Sequence, residues 1–316
     1  GLAQAKKLTL QCAYPATAYV GQTTKFFPDR VEALTNGEVT VKVFWPGQLV
    51  KTKEAFESVR GGMIDAYSGS MLYFAGIIPE VNAEWLPFGW RTPKEASEVY
   101  EKYGWLDLMR EATEKHGIRY IAPVAVASMG LITKSPVRTV DDLKGMKIRA
   151  VGMEAKIVAA LGGSSVSISG AEQYMALKQG VVDGTDYPFY TIGKYKFYEV
   201  CDYITRPALH TPGIVEIIMN ADSYASLSQA QQKAVDQAGW DAFQRTVELN
   251  EKWDQEAFET CREKNVEIID LTPEALDNFR AKVYPLWDEV AGKSDISKRL
   301  VENLKEFLND KGVKLQ

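Results

Sequence analysis

The sequence predicts an α/β protein with two lobes, and three observations lead to this prediction. The chain has 316 residues, which is enough for two separate hydrophobic cores. In its first third, short apolar or alternating segments take turns with segments of helical periodicity, which is the pattern of parallel strands joined by helices. A single helical pattern covers residues 228–264, about three times the length of an average globular helix.

The composition is ordinary for a globular protein, with 46% hydrophobic and 25% charged residues. A net charge of −5 and the lack of a basic cluster argue against a nucleic-acid-binding surface. No apolar run approaches the roughly 20 residues of a membrane-spanning helix, so we expect no stable membrane insertion. The Ala3-Gln4-Ala5 stretch is typical of the end of a signal-peptidase site. We therefore expect an exported protein whose signal peptide has been removed.

Cysteines and histidines limit the chemistry of the chain. Cys12, Cys201 and Cys261 are odd in number and lack CxxC spacing, which predicts buried small side chains, with a Cys201–Cys261 bridge left open. Two histidines, His116 and His210, exclude a histidine-rich metal site. The sequence contains no GxSxG, HExxH or P-loop pattern, so the standard catalytic signatures are missing.

The first elements place polar side chains at the ends of predicted strands. We predict strands at residues 7–13, 38–45 and 64–67, and helices at residues 18–34 and 53–60. Ligands of such sheets bind at the carboxyl ends of the strands. The residues just beyond those ends that could face a ligand are Tyr14, Thr17, Ser68, Ser70 and Tyr73.

Two tryptophans and a helical segment follow. We interpret Trp85 as a core residue and Trp90, in a loop beside Gly89, as a wall of the pocket. Apolar residues at helical spacing predict one long helix over residues 92–116. A strand at 118–127 is then expected to cross into the second lobe, where Ser128 and Met129 begin.

Residues 143–150 (LKGMKIRA) carry the central candidate, Arg149. This arginine lies on a short predicted strand between apolar neighbours, where an unpaired guanidinium would be expensive to desolvate. Its planar fork matches a carboxylate in two parallel hydrogen bonds, which lysine cannot reproduce. The strand alone favours an arginine paired with a structural Asp or Glu.

The next segments change that interpretation. A predicted helix at 152–163 and a strand around Val166 lead into residues 170–184 (GAEQYMALKQGVVDG). Together with residues 143–150 this arrangement resembles the solute-binding subunits of TRAP transporters, the DctP-type family, where the pattern is roughly LKGxKIR, a helix, a strand and a Y-x-ALQ-x-G-x-VDG block. The resemblance covers nearly the whole chain. In that family the arginine of LKGxKIR binds the ligand's carboxylate, which implies this role for Arg149.

The remaining elements complete the second lobe. Asp186 and Tyr187 follow at a strand end, and residues 190–198 read as an amphipathic surface helix. A strand at 214–220 is expected to return to the first lobe ahead of the long helix at 228–264. We predict a strand at 267–270 and helices at 273–290 and 295–309 at the end of the chain.

The resemblance implies a two-lobed α/β fold, the type II-like periplasmic-binding-protein fold, with crossing hinge strands and a long spine helix. We expect lobe I to comprise residues 1–124 and 213–250, and lobe II, with Arg149, to comprise residues 125–212 and 251–316. Two lobes of this kind close on a ligand. The resemblance further implies a monomeric periplasmic binder, and no enzyme, that delivers a small organic acid to the membrane components of a TRAP transporter.

The expected ligand contacts come from both lobes. They are Tyr14, Ser68, Ser70, Tyr73, Trp90, Ser128, Met129, Arg149, Gly170 and Tyr187. Arg149 is the one strong cation among them, which favours a monocarboxylate. Gly170, where several relatives carry a bulky aromatic residue, leaves space for a large group, and tyrosine and tryptophan walls suit an aromatic body. We therefore expect a ligand of the aromatic 2-oxo acid type, with pyruvate or lactate as the alternative.

Three questions stay open at this point. An ABC-type binding protein shares the fold, and an enzyme on a two-lobed scaffold would use Arg149 as an anion clamp but lacks an evident general base. Some relatives hold 2-oxo acids through a cation, using a carboxamide ahead of the arginine strand and an acidic residue before an aromatic one. Asp186-Tyr187 fits the second half, whereas Ser128-Met129 provides no carboxamide. We expect a site without metal or cofactor, and leave an assisting cation at Asp186 open.

Overall fold

The computed structural model of the chain describes residues 5–168 and 170–315, so the Ala3-Gln4-Ala5 motif begins outside the described residues. Within these residues, strands form two mixed sheets with helices between them, which confirms the predicted α/β class. The strands are β1 (Lys6–Cys12), β2 (Val39–Phe44), β3 (Ala66–Gly69), β4 (Ile118–Ala125), β5 (Met129–Thr133), β6 (Lys147–Arg149), β7 (Ser164–Val166), β8 (Gly184–Pro188), β9 (Tyr203–Arg206), β10 (Ile214–Asn220) and β11 (Glu267–Asp270).

The helices alternate with these strands along most of the chain. They are α1 (Tyr19–Leu34), α2 (Ala55–Arg60), α3 (Pro93–Lys102), α4 (Trp105–Glu114), α5 (Met153–Ala160), α6 (Gln173–Lys178), α7 (Thr191–Lys194), α8 (Ala221–Ala225), α9 (Gln229–Glu263), α10 (Pro273–Val283), α11 (Pro285–Ala291) and α12 (Asp295–Asp310). No helix of the described residues has both the length and the apolar character needed to cross a membrane.

The chain divides into two compact units. Unit 1 comprises residues up to Val81 together with Tyr100–Val126 and Ile214–Glu248. Unit 2 comprises Asn82–Val99, Ala127–Gly213 and the residues from Leu249 onward. The units differ from the predicted lobes chiefly at Asn82–Val99, which pack with unit 2 although they lie inside the range predicted for lobe I.

Unit 1 is built on a five-stranded sheet in the order β2-β1-β3-β10-β4. β1 runs parallel to β2 and β3, as the strand–helix alternation predicts, whereas β10 runs antiparallel to β3 and β4. Helix α1 buries Val20, Phe27 and Val31. Asn36 and Gly37 follow it with φ of 50° and 79°, the left-handed conformation that ends a helix, as predicted.

Two helices are shorter than the sequence pattern predicts. The helix expected over 92–116 is interrupted at Gly104, which adopts a left-handed φ of 75° between α3 and α4. This turn lets Trp105 pack edge-on against Tyr100, with ring centroids 5.6 Å apart. The helix expected over 273–290 is broken at Pro285, because proline has no N–H for the helical ladder and its ring clashes with the preceding turn.

Unit 2 is built on a six-stranded sheet in the order β11-β9-β5-β8-β6-β7. β6 runs parallel to both β7 and β8, and the register pairs Arg149 with Val166 on one side and Thr185 on the other. The carboxyl end of β6 therefore lies beside the point where β8 continues into Asp186 and Tyr187. This register is what positions the candidate site.

The core of unit 2 includes two of the cysteines. Cys201 and Cys261 are free and buried, and Cys12 is free and buried in unit 1, so the prediction of small buried side chains is confirmed. Burial raises the pKa of Cys201 to about 12 and that of Cys261 to about 11, because the thiolate loses its hydration. Residues 190–198 are a short helix α7 followed by a turn with Lys196 at φ 56°, which replaces the surface helix predicted there.

Candidate functional site

Arg149 is the last residue of β6 and is only 6% exposed. Its Nε donates a hydrogen bond to the carbonyl oxygen of Ile168 at 3.0 Å, and its Nη1 donates to the backbone carbonyl of Asp186 at 3.4 Å. The guanidinium carbon lies 4.9 Å from the centroid of the Tyr187 ring, a cation–π distance. Two carbonyls and one aromatic face therefore fix the guanidinium in place.

Two buried carboxyl groups accompany this arginine. Glu154, in the first turn of α5, is 4% exposed, and its Oε2 lies 3.5 Å from Arg149 Nη1. Asp186 is fully buried, and neither of its carboxylate oxygens has a hydrogen-bond partner among the described residues. The strand alone predicted an arginine beside a structural carboxylate. Glu154 is such a carboxylate, although 3.5 Å is a long distance for an ion pair.

Burial governs the protonation of both carboxyl groups. Loss of hydration raises the pKa of Glu154 to about 7, while the nearby Arg149 charge opposes that shift. Burial also raises the pKa of Asp186 well above its usual range, and the negative charge of Glu154 adds to this effect. The charge of one guanidinium therefore acts on two buried carboxyl groups.

Tyr187 and Gly170 lie against each other in unit 2. A Cβ added to Gly170 would lie 2.6 Å from the Tyr187 hydroxyl oxygen. Tyr195 and Phe197 flank the same ring, with centroids 5.9 Å and 6.5 Å away. The space beside Gly170 is therefore filled by Tyr187, which corrects the interpretation that this glycine leaves room for a large ligand group.

The other residues of unit 2 that were predicted to contact the ligand form hydrogen bonds to other residues of the chain. The Ser128 hydroxyl donates to Asp254 on α9, and the Ser128 amide lies 3.4 Å from the other oxygen of that carboxyl group. Met129 is buried and pairs through its backbone with His210. Trp90 is buried, and its indole N–H donates to the carbonyl of Pro212 at 3.0 Å. Ligand contacts by these residues stay predictions.

Unit 1 carries the remaining predicted contacts. Ser68 is fully buried with its hydroxyl 3.1 Å from that of Thr24, and the Ser70 hydroxyl accepts a hydrogen bond from the Leu72 amide at 3.2 Å. Tyr73 is 63% exposed and Tyr14 is half-buried. Burial raises the pKa of Tyr14 well above its usual value, and the nearby Tyr67 and Tyr73 add to this shift. Their role in binding stays a prediction.

Comparison with known proteins identifies the family. The model of the DctP family, described as bacterial extracellular solute-binding protein, family 7, matches residues 12–294. The chain belongs to this family. The resemblance predicted from residues 143–150 and 170–184 is therefore confirmed.

Individual binding proteins are similar to the chain over most of their length. The crystal structure of a TRAP periplasmic solute-binding protein from Rhodobacter sphaeroides, in an apo open form, is 28% identical with a TM-score of 0.82, covering 97% of this chain and 98% of that one. The 2,3-diketo-L-gulonate-binding periplasmic protein of Escherichia coli (strain K12) is 27% identical over 78% of this chain and 75% of its own. A monocarboxylate 2-oxoacid-binding periplasmic protein of Nostoc is 23% identical over 88% of this chain and 77% of its own.

Sequence reasoning missed two buried polar residues of unit 2. Glu154 follows Arg149 by five residues in the first turn of a mostly apolar helix, and that charge was the available signal. Gln173 is fully buried, and its Oε1 accepts a hydrogen bond from the Thr185 hydroxyl at 2.6 Å. Nothing in the local pattern marks Gln173 as buried, because its neighbours on α6 include exposed residues.

The described residues contain no group of three or more His, Cys, Asp or Glu side chains placed to hold a metal ion. The expected metal-free site stays a prediction.

Proposed function

We propose that this DctP-family protein captures a small monocarboxylate in the periplasm and delivers it to the membrane components of a TRAP transporter. It acts as a monomeric binder and transforms nothing. The family description as extracellular solute-binding proteins supports the compartment and the role. The relative from R. sphaeroides is named as the binding protein of a TRAP system, which supports the choice of transporter class over the ABC alternative.

The observation that carries this proposal is the setting of Arg149. Its guanidinium is buried, oriented by the carbonyls of Ile168 and Asp186, and stacked on Tyr187. Among residues 5–168 and 170–315, its Nη2 has no hydrogen-bond partner. A fixed, desolvated guanidinium with a free edge binds a carboxylate through charge-assisted hydrogen bonds, which are about twice as strong as neutral ones.

The proposed ligand is a 2-oxo acid with one carboxylate and an apolar or aromatic body. Two relatives support the 2-oxo acid class by name, since a 2,3-diketo acid also carries its first keto group next to the carboxylate. Arg149 is the one cation among the expected contacts, which supports a single carboxylate. A short acid such as pyruvate is the second candidate, and the position of Tyr187 against Gly170 favours it because that side chain occupies space.

A ligand panel tests the proposal. Thermal shifts are measured with phenylpyruvate, indole-3-pyruvate, pyruvate, lactate, succinate and glucuronate, because a ligand that binds only the folded state raises the melting temperature. Tryptophan fluorescence titrations then rank the binders. We expect phenylpyruvate or indole-3-pyruvate to bind most tightly, and every bound acid to be recovered chemically unchanged. Binding of succinate or glucuronate alone would contradict the proposed class, and recovery of a converted acid would contradict a pure binding role.

A further inference from the structure

The charges around Arg149 do not balance. Glu154 and Asp186 are both buried beside it, with Glu154 3.5 Å from Nη1 and Asp186 supplying its backbone carbonyl to the same nitrogen at 3.4 Å. With both carboxyl groups ionised, this cluster would carry a net negative charge in a region of low dielectric. A ligand carboxylate at Arg149 would add a third anion to a single cation.

No other described cation compensates for this charge. Lys156, on the same helix as Glu154, pairs with Glu289 on α11. Lys147 on β6 is exposed, and the side chains of β5 and β7 carry no titratable group. Tyr187 on β8, with Tyr195 beside it, also lies at the cluster, and burial raises the pKa of Tyr187, so it stays neutral.

Helix α10 also packs against α5, the helix that bears Glu154. It carries Glu274, Asp277, Arg280 and Lys282, and Arg280 pairs with Asp277 at 3.8 Å. Among the described residues, no ion pair or hydrogen bond joins these four side chains to Glu154 or Asp186. Uptake of a proton by a carboxyl group would therefore relieve the negative charge that a bound carboxylate adds.

We propose that carboxylate binding at Arg149 is coupled to the uptake of about one proton, held by Glu154. The coupling rests on the proposed function, since it requires an anion at Arg149. Two carboxylates that share one site cannot both remain ionised at low energetic cost, and an incoming anion acts on them as a third. The protein thus captures the acid together with a proton.

The burial of Glu154 fixes the direction of the pH effect. Burial raises its pKa toward neutral pH, so the group takes up a proton more readily as the pH falls. Bound carboxylate raises that pKa further. The dissociation constant should therefore be nearly constant below pH 6 and rise up to about tenfold per pH unit above pH 7.

Calorimetry with pyruvate and phenylpyruvate at pH 8, in phosphate and in Tris, measures the proton uptake, because the two buffers differ in ionisation enthalpy. We expect about one proton per acid bound in the wild type and in the control Glu259→Gln, an exposed carboxyl on α9. Glu154→Gln should bind with an uptake near zero and a flat pH profile. Tight binding that requires Arg149 but takes up no proton would overturn the coupling and leave the proposed function standing. Uptake that persists in Glu154→Gln would overturn the assignment to Glu154.

A measurement without ligand keeps the proposal testable if neither acid binds. Carboxyl carbon NMR of ¹³C-glutamate-labelled protein identifies Glu154 as the resonance missing from Glu154→Gln. A titration midpoint near pH 7 supports the proton site. A midpoint in the ordinary glutamate range would overturn it, whatever the fate of the proposed ligand.

Discussion

Replacing Gly170 with alanine should destabilise unit 2 and disturb the support of Arg149. The new Cβ would lie 2.6 Å from the Tyr187 hydroxyl oxygen and 3.6 Å from Cζ, so the clash is with the hydroxyl alone. The ring cannot move freely, because Tyr195 and Phe197 flank it and Arg149 covers its face. Overpacking of this kind costs about 1–3 kcal/mol.

The companion substitution Tyr187→Phe isolates that contact. Phenylalanine lacks the hydroxyl and leaves only the ordinary 3.6 Å contact with the ring, so the double variant should regain most of the stability lost by Gly170→Ala. We expect a coupling energy of about 1–2 kcal/mol between the two positions. Gly76→Ala, where an added Cβ meets nothing within 4 Å, should stay within about 0.5 kcal/mol of wild type.

Chemical denaturation of the wild type and the four variants gives the free energies of unfolding, and titration with pyruvate or phenylpyruvate gives the affinities. Gly170→Ala should lose affinity as well as stability, because displacing Tyr187 removes a support of the guanidinium. A Gly170→Ala variant as stable as wild type, or a double variant no more stable than Gly170→Ala, would refute the packing described between these residues.

Two further predictions concern pH. His210 is buried with its pKa lowered to about 3 by loss of hydration, so the folded state excludes the proton that the unfolded state binds below pH 6.5. Stability from this group is present above pH 6.5 and lost as the pH falls toward 3, by about 2–3 kcal/mol at pH 4.5. Between pH 7 and pH 4.5, the free energy of unfolding should fall less for His210→Gln than for the wild type or His116→Gln. Equal losses in chemical denaturation at the two pH values would contradict this. Ser128→Ala should destabilise by about 1–3 kcal/mol, more at pH 8 than at pH 5, because burial holds the pKa of Asp254 at about 6 and the ionised form needs the hydroxyl most. Thermal melts at both pH values test it, and a loss that is larger at pH 5 would contradict the reasoning.

Local patterns predicted the elements of the fold well and their ends less well. The alternation of β1, α1 and β2 could be predicted from the sequence, because each element buries its own periodic set of apolar residues. The break at Gly104 was not, because the apolar spacing continues across it and a single glycine costs a helix only about 1 kcal/mol. The turn there depends on the packing of Tyr100 on Trp105, which a local pattern does not encode. The antiparallel direction of β10 likewise depends on where the chain returns to the sheet of unit 1, which a local pattern does not encode.

The candidate site divides in the same way. Arg149 and Tyr187 were both predicted as ligand contacts. The guanidinium carbon lies 4.9 Å from the centroid of the Tyr187 ring, because β6 and β8 are neighbours in the sheet. Glu154 was missed, since only the packing of α5 brings its carboxyl group back to the arginine. Gly170 was interpreted as open space because its partner, Tyr187, lies 17 positions along the chain and the sequence does not reveal the contact.

The most direct test of the central claim is calorimetry of Arg149→Ala and Arg149→Lys with phenylpyruvate and pyruvate. Arg138→Ala, an exposed arginine of unit 2 that pairs with Glu267, serves as the control. Loss of a buried charge-assisted contact costs about 2–5 kcal/mol, or roughly 30- to 4,000-fold in affinity. We predict a loss in this range for Arg149→Ala, little recovery with lysine, wild-type affinity for the control, and folded circular dichroism spectra throughout. An Arg149→Ala variant that binds within about threefold of wild type would contradict carboxylate capture by this arginine.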